Sequence, residues 1–442
     1  MSEVTLREEL GALAEEAVLQ VVASDYPLEY FGGKSAVLDQ ERDQIVIGLP
    51  TFEGARAALD AFPMVQERYG SAPRSEWLAL QFVYGFLGDL SEPTFDHAVF
   101  ESTWEAFWKE LSEPEWTWLG LANLQNFRSE SMLLDLGDGI TIRGRSFEEL
   151  AEMGWSEWHL EQLSRDWFKG ANSSHVIVIE HRELKTPDNY AGTDDLAVWR
   201  KPENTLLALR IFKDGDIGMS RMGLIRSTSF NLGLDGNTFY FIPGSYAAQS
   251  FNPYTLNEPD LSAVLDLYGT LSQYKDMQDM RKKAPVNLTL ALQSFSDMYG
   301  RPSSRPDTRL VDAITAVEAL LGPADTTELS FRLAFRVAAI LGKDRNERFE
   351  IFDQMKSYYT ARSKVVHGST LSNKLRQRLE NQRNLRNWLR LLLLGFLRLG
   401  ASSEHSFDKT FFERQLDIAL VDETIRSQLR MKMGFQENNT SS

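Results

Sequence analysis

Runs that read as β-strands stop near residue 256 of this chain, and almost everything beyond them carries apolar residues at helical spacing. Helices are expected near 259–277, 286–300, 307–321, 328–341, 345–366, 371–399 and 408–431. RPSSRPDT (301–308) is the clearest break, because its two prolines resist helix continuation. Upstream the signals are mixed. Residues 3–22 and the stretch around 53–62 read as helices, and IVIGLP (45–50) reads as a short strand. MLLDLGDGITIRG (132–144) reads as a hairpin about Gly-Asp-Gly. SFEELAEMGWSEWHLEQL (146–163) opens with a serine cap followed three residues later by glutamate, which predicts a helix. HVIVIEHREL (175–184), TLLALRIF (205–212), IGMSRMGLIRSTSF (217–230) and TFYFIP (238–243) read as strands, with KDGD (213–216) as a hairpin turn. The expected architecture is an α+β region over 1–255 followed by an all-α bundle over 256–442, with its core at 306–400.

At 442 residues the chain has room for two or three domains, and 43% hydrophobic with 25% charged residues is the balance of a soluble globular protein. The longest apolar run, Leu391 to Leu397, falls far short of the roughly 20 residues a bilayer span needs, so no membrane partner is expected. The start, MSEVTLREELG, lacks the basic and apolar regions of a signal peptide. There is no cysteine, which excludes disulfides, thiol catalysis and cysteine-ligated metals, and a cytoplasmic location is expected. The net charge of -16 argues against polyanion binding by the whole surface. The charge is uneven, however. From residue 306 onward there are 21 Lys/Arg against 17 Asp/Glu, and the first 305 residues hold 26 against 46. Only the C-terminal part suits phosphates.

Several motifs point nowhere. FGGKS (31–35) ends like a phosphate-binding loop but has Leu28 where the first glycine belongs, so a Gly-Gly turn is expected. His159, His175 and His181 are not spaced to share a helix face, and the acidic residues show no ligand pattern, so neither metal nor cofactor is expected. Trp104, Trp108, Trp116, Trp118, Trp155, Trp158 and Trp167 crowd 64 positions. A stacking platform for bases or sugars is one use of such a cluster, and core packing is the expected one.

YYTARSKVVHGST (358–370) is different. Arg362 precedes His367 by five positions near the end of a helix, with Tyr358 and Tyr359 one turn earlier and Gly368 as the residue type that takes a left-handed C-cap. The pattern alone is cheap, since Arg398 and His405 repeat it across a loop. A histidine at the helix end faces the negative pole of the helix dipole. On a regular helix the two side chains lie about 140° apart. To meet one phosphate they need a distorted helix end or a second subunit. Otherwise Arg362 is a solvated arginine and His367 a capping residue.

The surrounding order of parts resembles the HEPN superfamily, specifically the Apea-like HEPN domains. RLVDAITAVEALLG supplies Ala316, Glu318, Leu320 and Leu321, and ELSFRLAFRVAAILG supplies Arg332 and Arg336. The YYTARSKVVHG segment supplies Tyr358, Arg362, Ser363, Val365, Val366, His367 and Gly368. The likeness covers about 60 residues strongly and about 140 loosely, and says nothing about residues 1–255. It implies an HEPN-like helical bundle, a homodimer through that bundle, and a metal-independent endoribonuclease acting in bacterial anti-phage defence, abortive infection or stress response. It further implies Arg362 and His367 as catalytic, with Ser363, Tyr358 and Tyr359 supporting them. Many active HEPN nucleases carry Asn, Asp or His where this chain has Ser363, although serine is usual in the Apea-like subset. The alternative implied by the superfamily is a catalytically silent dimerisation or RNA-binding module, with the N-terminal region as sensor. Lys364, Arg376, Arg383, Arg386 and Arg390 add a basic stripe for the RNA backbone, and its other reading is a solvated arginine face. Glu318, Arg332 and Arg336 are expected to be structural, as an ion pair between helices. The acidic N-terminal part suits a protein or small-ligand trigger better than RNA capture.

Overall fold

The computed structural model describes residues 2–24, 40–70, 74–144, 146, 148, 175–188, 196–219, 222–227, 238–240, 253–276, 287–301, 305–322, 328–369, 372–373, 375, 382–401 and 409–435. It opens with helices: α1 (Glu3–Ala23), α2 (Gln40–Ile47), α3 (Phe52–Asp60), α4 (Pro63–Tyr69), α5 (Arg74–Asp89) and α6 (His97–Ser112). Ser2 caps α1 by accepting from the Thr5 N–H, and Asp96 caps α6 by accepting from Ala98 and Val99. Leu78, Phe82 and Phe86 of α5 recur at helical spacing and are buried against Leu6, Leu10, Phe100 and Phe107. The expected strand at 45–50 is therefore replaced by the end of a helix and the turn that follows it.

An antiparallel sheet follows. Its centre is β1 (Glu115–Gln125), flanked by β5 (His175–Leu184) and β7 (Met222–Ser227), so that Gly120 stands opposite Ile179 on one side and Leu224 on the other. The hairpin of β3 (Leu133–Asp135) and β4 (Ile140–Gly144) extends the β5 side. Its turn runs through Gly137, Asp138 and Gly139, all at positive φ, where an added Cβ on Gly139 would meet the Glu180 carbonyl at 2.3 Å. β6 (Gly218–Met219) also pairs with β1, β8 (Thr238–Tyr240) pairs with β7, and the short β2 (Phe127–Arg128) pairs in parallel with β9 (Tyr254–Thr255).

TLLALRIF is not a strand. It ends α7 (Leu196–Phe212), so KDGD connects a helix to β6 rather than closing a hairpin. From residue 261 to the end of the described chain all the regular elements are α-helices: α8 (Leu261–Asp276), α9 (Leu288–Gly300), α10 (Pro306–Leu321), α11 (Leu329–Leu341), α12 (Arg345–Val366), α13 (Arg383–Ala401), α14 (Lys409–Ile418) and α15 (Glu423–Lys432). The single helix expected over 408–431 is two, because Asp422 caps a new one by accepting from Thr424 and Ile425. The coarse order, α+β and then α, holds. One hydrophobic cluster nevertheless runs from Leu6 to Met433, so the two parts share their core. Among the described residues no helix is long and apolar enough to cross a membrane.

Of the tryptophans, Trp104, Trp116 and Trp118 are buried, and Trp108 is half-buried and stacks on Trp104 with centroids 5.6 Å apart, which is the core role expected. Trp155, Trp158, Trp167, His159, the helix read at 146–163 apart from Ser146 and Glu148, and the FGGKS turn lie outside the described residues.

Candidate active site

α12 is the helix that carries the Arg–His pair. Asp344 caps its start through Asn346 and Glu347, and its inner face buries Ile351, Met355, Tyr358 and Ala361 against α10 and α11. The end is as the glycine predicts. His367 is the C-cap residue, Gly368 takes φ +66°, Gly368 N–H donates to Val365 O at 3.1 Å and Ser369 N–H to Lys364 O at 2.8 Å. This turn satisfies the last carbonyls of α12 with the chain's own backbone.

Other helix ends are closed differently, those of α7, α10 and α11 among them. Arg390 of α13 donates to Ile211 O and Phe212 O at the end of α7. Arg336 donates to Leu321 O at the end of α10. Arg426 of α15 donates to Ala339 O and Gly342 O, and Arg430 to Ile340 O, at the end of α11. In each case a guanidinium from another helix meets the orphan carbonyls and the negative pole of the dipole. At α12 no arginine among the described residues closes the end, and His367 stands exposed there.

Arg362 lies half-buried on the α10 side of α12. Its Nη2 is 3.4 Å from Glu318 Oε2, and its Nε is buried with no acceptor among the described residues. Tyr359 lies near the same carboxylate; burial, and then the charge of Glu318, push its phenol up. Tyr358 packs edge-on against Trp388, with centroids 6.3 Å apart. Ser363 and Lys364 are half-buried, and Ser363 O accepts from His367 N–H at 3.1 Å. No hydrogen bond joins Arg362 to His367 among the described residues.

Arg332 and Arg336 pair with Asp417 of α14, not with Glu318. The ion pair expected of Glu318 is real, but its partner is Arg362.

The basic stripe has another task than the one expected. Arg386 bonds both Asp214 and Asp216, Arg383 bonds Asp214 at 2.9 Å, and Arg390 holds the end of α7. Asp216 is 1% exposed, and burial raises its carboxyl above the usual range although Arg386 draws it back. These arginines face the N-terminal part of the molecule, where KDGD presents its two carboxylates, and only Arg383 is exposed. Arg376 and His405 lie outside the described residues. The sequence contains both Glu318 and KDGD but no signal of their partners, which are 44 and about 170 positions away.

His175 and His181 are buried on β5, His175 meeting Ser131 O at 3.2 Å, and no cluster able to hold a metal ion occurs among the described residues. No family model, curated protein or solved structure matches the chain.

Proposed function

We propose that the chain is a metal-independent endoribonuclease of the HEPN type that works as a homodimer, with Arg362 and His367 at its reactive site. The observation that carries this reading is the end of α12, where an arginine whose buried Nε has no acceptor and an exposed histidine flank a helix terminus that, among the described residues, no arginine covers. RNA cleavage by the 2′-hydroxyl needs a proton removed from that oxygen, charge stabilised on the phosphorane and a proton delivered to the leaving 5′-oxygen. Imidazole exchanges protons near neutral pH, and such help is worth about 10²–10⁴-fold. A guanidinium keeps its proton and offers a planar fork to phosphate oxygens. His367 is the general acid/base, Arg362 binds the scissile phosphate, and Ser363 and Lys364 flank them. The 140° between the two side chains on one helix favours a site completed by a second copy.

The occupied stripe favours a second reading. With Arg386 and Arg390 committed to the N-terminal part, the RNA track behind the site is shorter than the sequence suggests, as in a silent dimerisation module. Incubation of wild type and His367→Ala with total RNA and tRNA in EDTA, with product ends mapped, separates the two. The nuclease leaves 2′,3′-cyclic phosphate and 5′-hydroxyl ends in wild type alone. Ends with a 3′-hydroxyl, or equal cleavage by both proteins, would sink it.

A further inference from the structure

Arg362 follows Met355 by seven residues, two turns of helix, and so returns to the side of α12 that faces the bundle. His367 emerges about 140° further round and is exposed. Among the described residues the one acceptor the guanidinium reaches is Glu318 Oε2, at 3.4 Å, near the long limit for a hydrogen bond. The charge of the same carboxylate also reaches Tyr359, one turn earlier on α12. The arginine is thus directed at α10 rather than at the histidine it is meant to work with.

We infer that Glu318 is a resting counter-ion that parks Arg362 on α10, and that an RNA phosphate must draw the guanidinium away from it. This rests on the nuclease reading and adds a regulation of the same site. The geometry suits an exchange. The two side chains are 25% and 21% exposed, so water and salt already weaken the pair. Glu318 presents one oxygen at long range, whereas a phosphate presents two in the spacing of the fork. The buried Nε, without an acceptor now, is satisfied if the side chain turns outward. The Asp216–Arg386 pair is the opposite case, since its carboxylate is 1% exposed and its separation would strand a buried charge.

The test uses the full chain and a fluorescent 2′-O-methyl RNA oligonucleotide, which lacks the attacking hydroxyl and reports binding alone. Glu318→Gln should bind about fivefold tighter than wild type, the worth of a partly exposed pair. Glu318→Gln combined with Arg362→Ala should bind no tighter than Arg362→Ala. With cleavable RNA, Glu318→Gln should lower KM while kcat is kept. Weaker or unchanged binding by Glu318→Gln would show that the carboxylate positions Arg362 productively and overturn the inference, as would a gain that survives in the Arg362→Ala background. Should Glu318→Gln melt early, Glu318→Asp, which draws the carboxylate back, is expected to show a smaller gain of the same sign. Absence of cleavage by every protein would count against the nuclease reading, while the binding series would still decide the role of Glu318.

Discussion

Arg386 and Arg390 of α13 and Arg362 of α12 are the same residue type on neighbouring helices, and the structure treats them in opposite ways. Arg386 and Arg390 are directed inward, onto two carboxylates and the terminal carbonyls of α7. Arg362 has one long bond and an Nε with no acceptor. A saturated guanidinium between buried elements is a clamp, because moving it strands its partners. An unsaturated one at a half-exposed helix end keeps donors for a ligand. The positive charge of the C-terminal part is therefore poor evidence of RNA contact by itself; what matters is which donors are already satisfied.

The contrast breaks most sharply at His367. His367→Ala should lower RNA cleavage by about 10²–10⁴-fold while leaving thermal stability nearly unchanged, since the side chain is exposed. Matched turnover and melting assays check this, and a large fall in Tm with activity retained would invert the assignment. Next comes the clamp. Asp216→Ala leaves Arg386 buried without one of its carboxylates and should cost about 3 kcal/mol in denaturant unfolding, with loss of packing between α7 and α13. A change below about 0.5 kcal/mol would show that the pair is not a clamp.

Gly368→Ala forces a Cβ into the left-handed region at φ +66° and should cost about 1 kcal/mol. It should reduce cleavage by more than that loss of stability explains, because His367 sits on the strained turn. The smallest effect is expected at Glu423, which joins Arg348 of α12 to Arg426 of α15. Burial works against its charge, but the hydrogen bonds and charges of the two arginines outweigh it and hold the carboxyl below its ordinary value of 4.5. A lowered folded-state value adds stability above about pH 4.5 that is lost as the pH falls through it. Glu423→Gln should therefore lower Tm slightly at pH 7, and the gap to wild type should close on acidification.

Much of the C-terminal part was legible because amphipathic helices with caps announce themselves locally. The read boundaries 345–366 coincide with α12, and Gly368 marks its end through a backbone conformation that disfavours side chains. The N-terminal part was less legible. TLLALRIF is a short apolar run with no polar face to reveal its period, so its Leu and Ala content fits α7 as well as a strand. IVIGLP has the β-branched residues of a strand, yet the chain spends them on the end of α2. β1, the centre of the sheet, is buried along nearly its whole length and so lacks the alternation of apolar and polar residues by which a strand is recognised.

By itself the sequence determined the helical C-terminal part, the left-handed end of α12 and the placing of Arg362 and His367 on different sides of one helix. Those follow from the backbone preferences of neighbouring residues and the turn angle of the helix. Only the tertiary structure decided that Arg362 meets Glu318, that Arg386 and Arg390 are clamps on KDGD and α7, and that the end of α12 is closed by its own backbone turn where those of α7, α10 and α11 are closed by arginines. The reason is that a side chain's partner is chosen by packing across long separations in the chain. Charge and spacing in the sequence say which groups are available, not which of them are already satisfied.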